Sequence, residues 1–265
     1  MKKKIFMIGN TNGLPGVNVD IDSYRSFFTS PVGGNWYDGE IEILRNPRKG
    51  ELLARINAMR QKNYDYVITI FSGHGGFARN GTVLEINKYD ELIDANELRN
   101  LSERQLLIFD CCREIIVPSA TKTASILNLS LSKQAEYDIV REKYEERISQ
   151  SVPQEVILWA CNTQEAATDI SNEGGVYSQS LLRAARELAG GNEMFVSVSK
   201  AHEMATNYTQ QRTRGLQNPQ IYQPRCLTSQ CLPFVVNPEL VLAINPRYSV
   251  GSGIAALLNL QQKSY

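Results

Sequence analysis

Several absences narrow the class of this 265-residue chain before any motif is read. It has two histidines and five cysteines, with no Cys-x-x-Cys pair. An odd count at irregular spacing suggests neither a disulfide framework nor a zinc site, and a reduced thiol fits an intracellular compartment. Lys+Arg and Asp+Glu both total 28, so zero formal net charge offers no global attraction to nucleic acid or anionic membrane. Long apolar runs are missing too. Ile5–Ile8, behind the basic Met1-Lys2-Lys3-Lys4, ends at Gly9-Asn10, too short for a signal-peptide core, and the stretch from Ser249 to Leu260 is too short to cross a bilayer. A cytoplasmic location, with no nucleic-acid or membrane partner, is the expectation. There is no dense oxygen-ligand loop of the EF-hand kind, and Gly73-Gly75-Gly76 lacks the Lys-Ser/Thr of a phosphate loop. No metal and no cofactor are therefore expected.

What is present is a pair of short motifs, each placed where a hydrophobic run gives out: YVITIFSGHGG at 66–76 and LLIFDCCRE at 106–114. Val67–Phe71 and Leu106–Phe109 are apolar or β-branched throughout, as in strands covered on both faces of a parallel sheet. The carboxyl ends of such strands are where a site belongs. One run delivers His74 in a Gly-rich turn; the other delivers Cys111 and Cys112 behind Asp110. An imidazole and a thiol meeting at one sheet edge is the layout of a cysteine nucleophile with a histidine partner.

The remaining chain alternates in type. Strands are predicted at 4–9, 41–44, 155–161 and 195–198, and helices at 19–29, 48–62, 132–150, 179–188 and 199–212. Residues 82–86 are read as part of a hairpin over the site, and Asp94-Ala95-Asn96-Glu97 as a capping box opening a short helix. Repetition of strand, helix, strand indicates a doubly wound α/β sheet. Asp20 and Asp22 fall near the predicted start of the first helix, where carboxylates suit the helix dipole. Cys111, Cys161 and His202 read as packing residues, and Cys226 and Cys231 bracket a late loop without histidine ligands.

These residues resemble the caspase-like cysteine peptidases, the metacaspase, paracaspase and bacterial orthocaspase branches more than the animal caspases. Ser72-Gly73-His74-Gly75 is similar to the family's histidine motif and Asp110-Cys111-Cys112 to its Asp-x-Cys nucleophile motif. Leu14–Asp20, Gly175–Ser178 with Leu181-Leu182, and Gln217–Gln220 resemble further segments in family order, over roughly residues 3–235. The resemblance implies a caspase-like sandwich with a mainly parallel central sheet flanked by helices on both faces. It implies Cys112 as nucleophile, His74 as its partner, and the Gly75 and Cys112 amides as the oxyanion hole. It also implies a pocket for the residue before the cut formed by Asp20, Ser72 and Asp110, acidic enough to favour Arg or Lys.

Two departures bear on that pocket. Val17 stands where a cysteine is common, and Cys161-Asn162-Thr163-Gln164 lacks an acid that many relatives carry. A non-basic preference therefore stays open, as does a catalytically silent scaffold. The chemistry asks for an attack by Cys112 on a scissile carbonyl and protonation of the departing amine by His74, with no third member required. Calcium activation, common among metacaspases, has no ligand loop to support it here. The organisation expected is a peptidase domain over 1–235 and an extension over 236–265 that packs on it or docks a partner. Within the domain, 113–153 is either a solvated insertion or an activation linker rich in basic residues. The partner is a protein or peptide substrate in regulated limited proteolysis of the cell-death or antiviral-defence type. Any upstream signal acts through a separate activator protein or self-cleavage.

Overall fold

A computed structural model describes residues 1–78, 81–114 and 137–244. Most of the expected linker, the first residues of the helix predicted at 132–150 and the apolar stretch 254–258 lie outside the described residues. Strand β1 (Lys3–Gly9) leads through α1 (Gly16–Thr29) to β2 (Ile41–Arg45), and α2 (Lys49–Arg60) returns the chain to β3 (Tyr64–Ser72). An antiparallel meander of β4 (Gly75–Ala78), β5 (Gly81–Glu85) and β6 (Leu92–Asp94) precedes β7 (Ser102–Asp110). Next come α3 (Tyr137–Ser149), β8 (Gln154–Trp159) and the small hairpin of β9 (Asp169–Ile170) and β10 (Gly174–Gly175), which opens α4 (Val176–Leu188). The described chain closes with β11 (Phe195–Ser197), α5 (Val198–Thr213), β12 (Gln220–Tyr222), β13 (Pro233–Val236) and α6 (Pro238–Ala243).

The central sheet has six strands in the order β12-β8-β7-β3-β1-β2, all parallel except β12 at its edge. From β1 the chain moves to β2 on one side and later to β3 on the other, so the order reverses between β1 and β3. That switch opens a crevice beyond the carboxyl ends of the strands. Alternate strand residues face opposite layers. Ile5, Met7, Ile68, Ile70, Leu106 and Ile108 join a core with α1, α3, α4 and α5. Phe6, Ile8, Val67, Phe71, Leu107 and Phe109 pack on Leu52, Ile56 and Met59 of α2 and on Leu84 and Ile93 of the meander. Burial on both faces explains why these strands read as unbroken apolar runs. On α1, Val17, Ile21, Tyr24 and Phe28 recur at helical spacing and all are buried.

Three local readings change. α1 begins at Gly16, so Asp20 sits in the second turn and no acid occupies the first; it is neither a cap nor a partner of the dipole. The turn after Asp94 is 3-10, with Asp94 Oδ1 accepting from Asn96 N at 2.8 Å while Glu97 reaches Arg60 instead of closing a box. Charged α3 is not a solvated insertion, because Val140, Tyr144 and Ile148 are buried in the first core. Val241 of α6 enters that core as well, so the first residues past 235 are built onto the domain.

A buried lysine docks α3 on β1. Lys3 Nζ lies 3.0 Å from Glu145 Oε1 and 4.2 Å from the centre of the Trp36 ring, with its side chain wholly enclosed. Arg141 bridges Glu145 and Glu40, each at 2.7 Å. Lys3 and Glu145 are close, but neither atom meets hydrogen-bond geometry, so the pair is held by charge rather than direction. Burial first, and the Arg141 charge second, lower the Lys3 pKa to about 8. Between that value and the ordinary lysine range the unfolded chain binds the extra proton, so this group adds stability as pH rises across that window, by up to ~1.4 kcal/mol per pH unit. Denaturant titrations at pH 8 and pH 10 should show this gain in the wild type and its loss in Lys3→Met. An equal rise in both proteins would remove Lys3 as its source.

Candidate active site

The site grows from a pairing register. β3 and β7 run parallel with Ser72 opposite Asp110, and His74 and Cys112 each lie two residues further on. Gly73 N donates to Asp110 O at 3.1 Å, and Phe77 N to Glu114 O at 2.7 Å, so the two chains stay side by side past their strands. Gly73 has φ +157°, and a Cβ there would lie 2.8 Å from Asn10 Cβ, so a side chain at this position would crowd the Asn10 loop. A Cβ on Gly75 would lie 2.9 Å from Cys111 Sγ and 3.0 Å from Cys112 O. The glycine after the histidine therefore lets the backbone press against the nucleophile turn.

The imidazole has a fixed orientation. His74 Nε2 lies 2.6 Å from the Asn12 carbonyl oxygen. A carbonyl only accepts, so Nε2 carries the proton and Nδ1 keeps its lone pair. Asn12 is held in turn: its N–H donates to Asn10 Oδ1 at 3.1 Å, and buried Asn10 donates to Glu85 O at 2.9 Å. His74 thus has a backbone carbonyl as its partner, a contact that residue types alone do not announce. Cys112 is half-buried. Its Sγ accepts from Ala167 N at 3.3 Å and donates to Ala167 O at 3.5 Å. Burial pushes the thiol pKa up, opposed by the Ala167 amide. Among the described residues no hydrogen bond joins Cys112 Sγ to the His74 ring, so the thiol rests on the Ala167 backbone.

The other expected site residues converge. Asp20 is 1% exposed and accepts from Ser72 Oγ at 2.8 Å, Gly175 N at 2.9 Å and Gln179 Nε2 at 2.8 Å. Buried Asp110 accepts from Ser178 N at 2.9 Å. Both carboxyls meet at Gly175, where a Cβ would strike Asp110 Oδ2 and lie 3.0 Å from Asp20 Oδ2. They face the start of α4, whose unpaired amides favour negative charge. Burial outweighs those amides: it is the largest cause raising both pKa values, and for Asp20 the neighbouring Asp110 charge comes next. Both carboxyls are thus held above the ordinary carboxylate range.

Sequence reasoning missed a third acid. Asp169, in β9, accepts from Gly16 N at 3.3 Å through Oδ2, while its Oδ1 is buried without a hydrogen-bond partner. Burial raises its pKa, opposed by the Gly16 amide and the His74 charge, and its own charge raises that of Asp110. No local pattern in the sequence distinguishes Asp169 from an ordinary loop aspartate. Among the described residues none of the three forms an ion pair with Lys or Arg. Gln217 and Asn218 also acquire a task. Gln217 accepts from Thr168 N at 3.0 Å and donates to Ala160 O at 2.9 Å, and Asn218 N and Nδ2 donate to Glu165 at 2.8 and 2.9 Å. They clamp the 161–169 loop that carries Ala167.

The profile of the caspase domain matches residues 2–228. This chain belongs to the caspase domain family. No curated protein matches it significantly. Membership accounts for the order of elements around the sheet and makes this a caspase-like cysteine-peptidase fold. The other cysteines near the site and His202 are packed side chains, as expected. Cys111 and Cys161 are buried, and His202 is enclosed with Nδ1 2.7 Å from Tyr177 OH. Among the described residues no cluster of His, Cys, Asp and Glu could hold a metal, and no helix is long and apolar enough to cross a membrane.

The raised Asp20 pKa has a sign. The folded state holds a proton that the unfolded chain has already released, so stability falls as pH rises above the ordinary carboxylate range, by up to ~1.4 kcal/mol per pH unit for one proton. Asn can accept from Gly175 N and donate to Ser72 Oγ without ionising. Asp20→Asn should match the wild type in denaturant midpoint near pH 4 and exceed it increasingly toward pH 8. A constant offset at all pH values would rule out the retained proton.

Proposed function

We propose that this caspase domain is a cysteine endopeptidase that cuts protein substrates after Arg or Lys. The observation that carries the reading is the convergence of Asp20, Asp110 and Asp169 without a protein cation beside the turns that bear His74 and Cys112. Carboxyls buried against one another are destabilised by desolvation and mutual repulsion, and a substrate cation relieves both. Asp169 Oδ1, buried and unpaired, is the acceptor still open to a guanidinium or ammonium. Ser72 and the α4 amides hold Asp20 and Asp110 behind it.

In the chemical step the lone pair on His74 Nδ1 takes the Cys112 proton as sulfur attacks the scissile carbonyl, and the imidazolium returns a proton to the departing amine. Water then hydrolyses the thioester. The Gly75 and Cys112 amides serve the oxyanion, each contributing on the order of 3 kcal/mol. The Asn12 carbonyl stabilises the imidazolium through the Nε2 hydrogen. Regulated limited proteolysis in the cytoplasm, of the cell-death or defence type, with self-cleavage or a separate activator, completes the proposal and rests on family analogy.

A second reading has one observation behind it. The thiol is bonded to Ala167 and its pKa is raised, as fits a latent enzyme or a scaffold without turnover. Fluorogenic peptides ending in Arg, Lys, Asp or Leu separate the readings. The wild type should cut the Arg and Lys peptides fastest, and Cys112→Ala should lose more than ~10³-fold in kcat/KM. Asp169→Asn should lose ~10–100-fold on Arg peptides, the worth of one charge-assisted hydrogen bond, with little change on Leu peptides. Faster cutting after Asp or Leu would overturn the basic preference, and failure to cut any peptide or protein substrate would favour the scaffold.

A further inference from the structure

Two thiols unused by the proposed chemistry touch each other in the loop between β12 and β13. Cys226 and Cys231 flank the 3-10 turn Thr228–Gln230, and their Sγ atoms are 2.8 Å apart. Cys231 Sγ donates to Leu227 O at 3.3 Å, and further bonds that do not involve the thiols hold the loop. Gln230 N donates to Leu227 O at 2.7 Å within it. From outside, Arg147 donates to Thr228 O at 3.1 Å and Cys231 O at 2.8 Å, Ser151 Oγ to Cys231 O at 3.0 Å, and Gln154 Nε2 to Gln230 O at 2.7 Å. The thiols are therefore preorganised by backbone contacts with α3 and the start of β8. Burial and the neighbouring Cys226 thiol push the Cys231 pKa up to about 11, opposed by the Arg147 guanidinium. Cys226 is half-buried and Cys231 is 7% exposed, so a small oxidant reaches Cys226 first. No other two sulfurs among the described residues are hydrogen-bonded to each other.

We propose that Cys226 and Cys231 form a redox modification site, closing a reversible disulfide with a peroxide or a low-molecular-weight disulfide as oxidant. With hydrogen peroxide, the Cys226 thiolate attacks one oxygen, the O–O bond breaks, hydroxide leaves and a sulfenic acid forms. The Cys231 sulfur then attacks the Cys226 sulfur, the S–O bond breaks and water leaves. Two thiols give up two electrons and two protons, and the peroxide becomes two waters. With glutathione disulfide, two exchanges form the same bond and release two molecules of glutathione. The closed ring would fix the three carbonyls that hold Arg147, Ser151 and Gln154, and so the junction of α3 with β8.

The test uses the full chain carrying Cys112→Ala, which removes the candidate nucleophile as a competing thiol. The protein is treated with hydrogen peroxide, or separately with glutathione disulfide, then denatured, alkylated, digested and mapped by mass. Loss of two hydrogens in material joining Cys226 to Cys231, reversed by dithiothreitol, with Cys111 and Cys161 still alkylated, is the expected result. In Cys226→Ser the loss should vanish; in Cys231→Ser, Cys226 should remain as a mixed disulfide with glutathione. Both thiols staying reduced while a free dithiol peptide in the same solution oxidises would overturn the site. So would conversion of Cys226 to sulfinic acid with Cys231 still alkylated.

Discussion

Everything at the candidate site depends on the parallel pairing of β3 with β7 at one register. Ser72 opposes Asp110, and the reactive residues follow at the same offset of two. Parallel strands end at the same side of a sheet, so an equal offset brings imidazole and thiol out at the same level. A slip of one residue would exchange the faces of every side chain on one strand. It would carry Phe71 or Phe109 out of the second core, so hydrophobic burial on both faces enforces the register. The same pairing aims Ser72 Oγ and the Asp110 carboxyl into the crevice beside Asp20. The placement of the His74 and Cys112 turns and of Ser72 and Asp110 thus follows from one constraint.

Two opposing fields act on the crevice. The start of α4 presents the Gly175 and Ser178 amides to two carboxyls, which alone would favour ionisation. Enclosure and mutual proximity act the other way and prevail, as the raised pKa values show. Asp169 adds a third carboxyl at the rim. A cluster of this kind is eased when one group keeps its proton or when a positive charge takes that proton's place. The proposed preference for a basic substrate rests on that balance.

What could be read from residue order follows the range of the interactions concerned. Strands buried on both faces announce themselves as apolar runs, and a reactive residue at the end of each is a local feature, so the positions of His74 and Cys112 were legible. Asp20 is expected among the site acids through resemblance, and its place in the helix differs from the expected one, since α1 begins at Gly16. Pro15 and Gly16 hide a helix start that Val19 and Asp20 mimic. The carbonyl of Asn12 carries no residue-type signal, because every residue has one. Asp169 depends on a contact with Gly16, 153 positions away, and no spacing rule reaches that far. The charged stretch of α3 conceals three core residues for a different reason: its apolar positions Val140, Tyr144 and Ile148 make a narrow stripe among ionised neighbours.

The resting thiol and the rim acid share a loop. Ala167 holds Cys112 Sγ through its N–H and its carbonyl, and Asp169 follows two residues later. Between them Thr168 N is bound by Gln217, whose amide also grips Ala160 at the end of β8. Glu165, tied to Asn218 by two bonds, closes the other side. A segment held at both ends in this way transmits a displacement of Asp169 to Ala167, because closely packed backbone has few soft degrees of freedom left. A cation drawn to Asp169 Oδ1 would therefore act on the bonds that keep the sulfur occupied. The bonds to the Cys112 sulfur and the Asp169 carboxyl are thus carried by one loop of nine residues, clamped by Gln217 and Asn218.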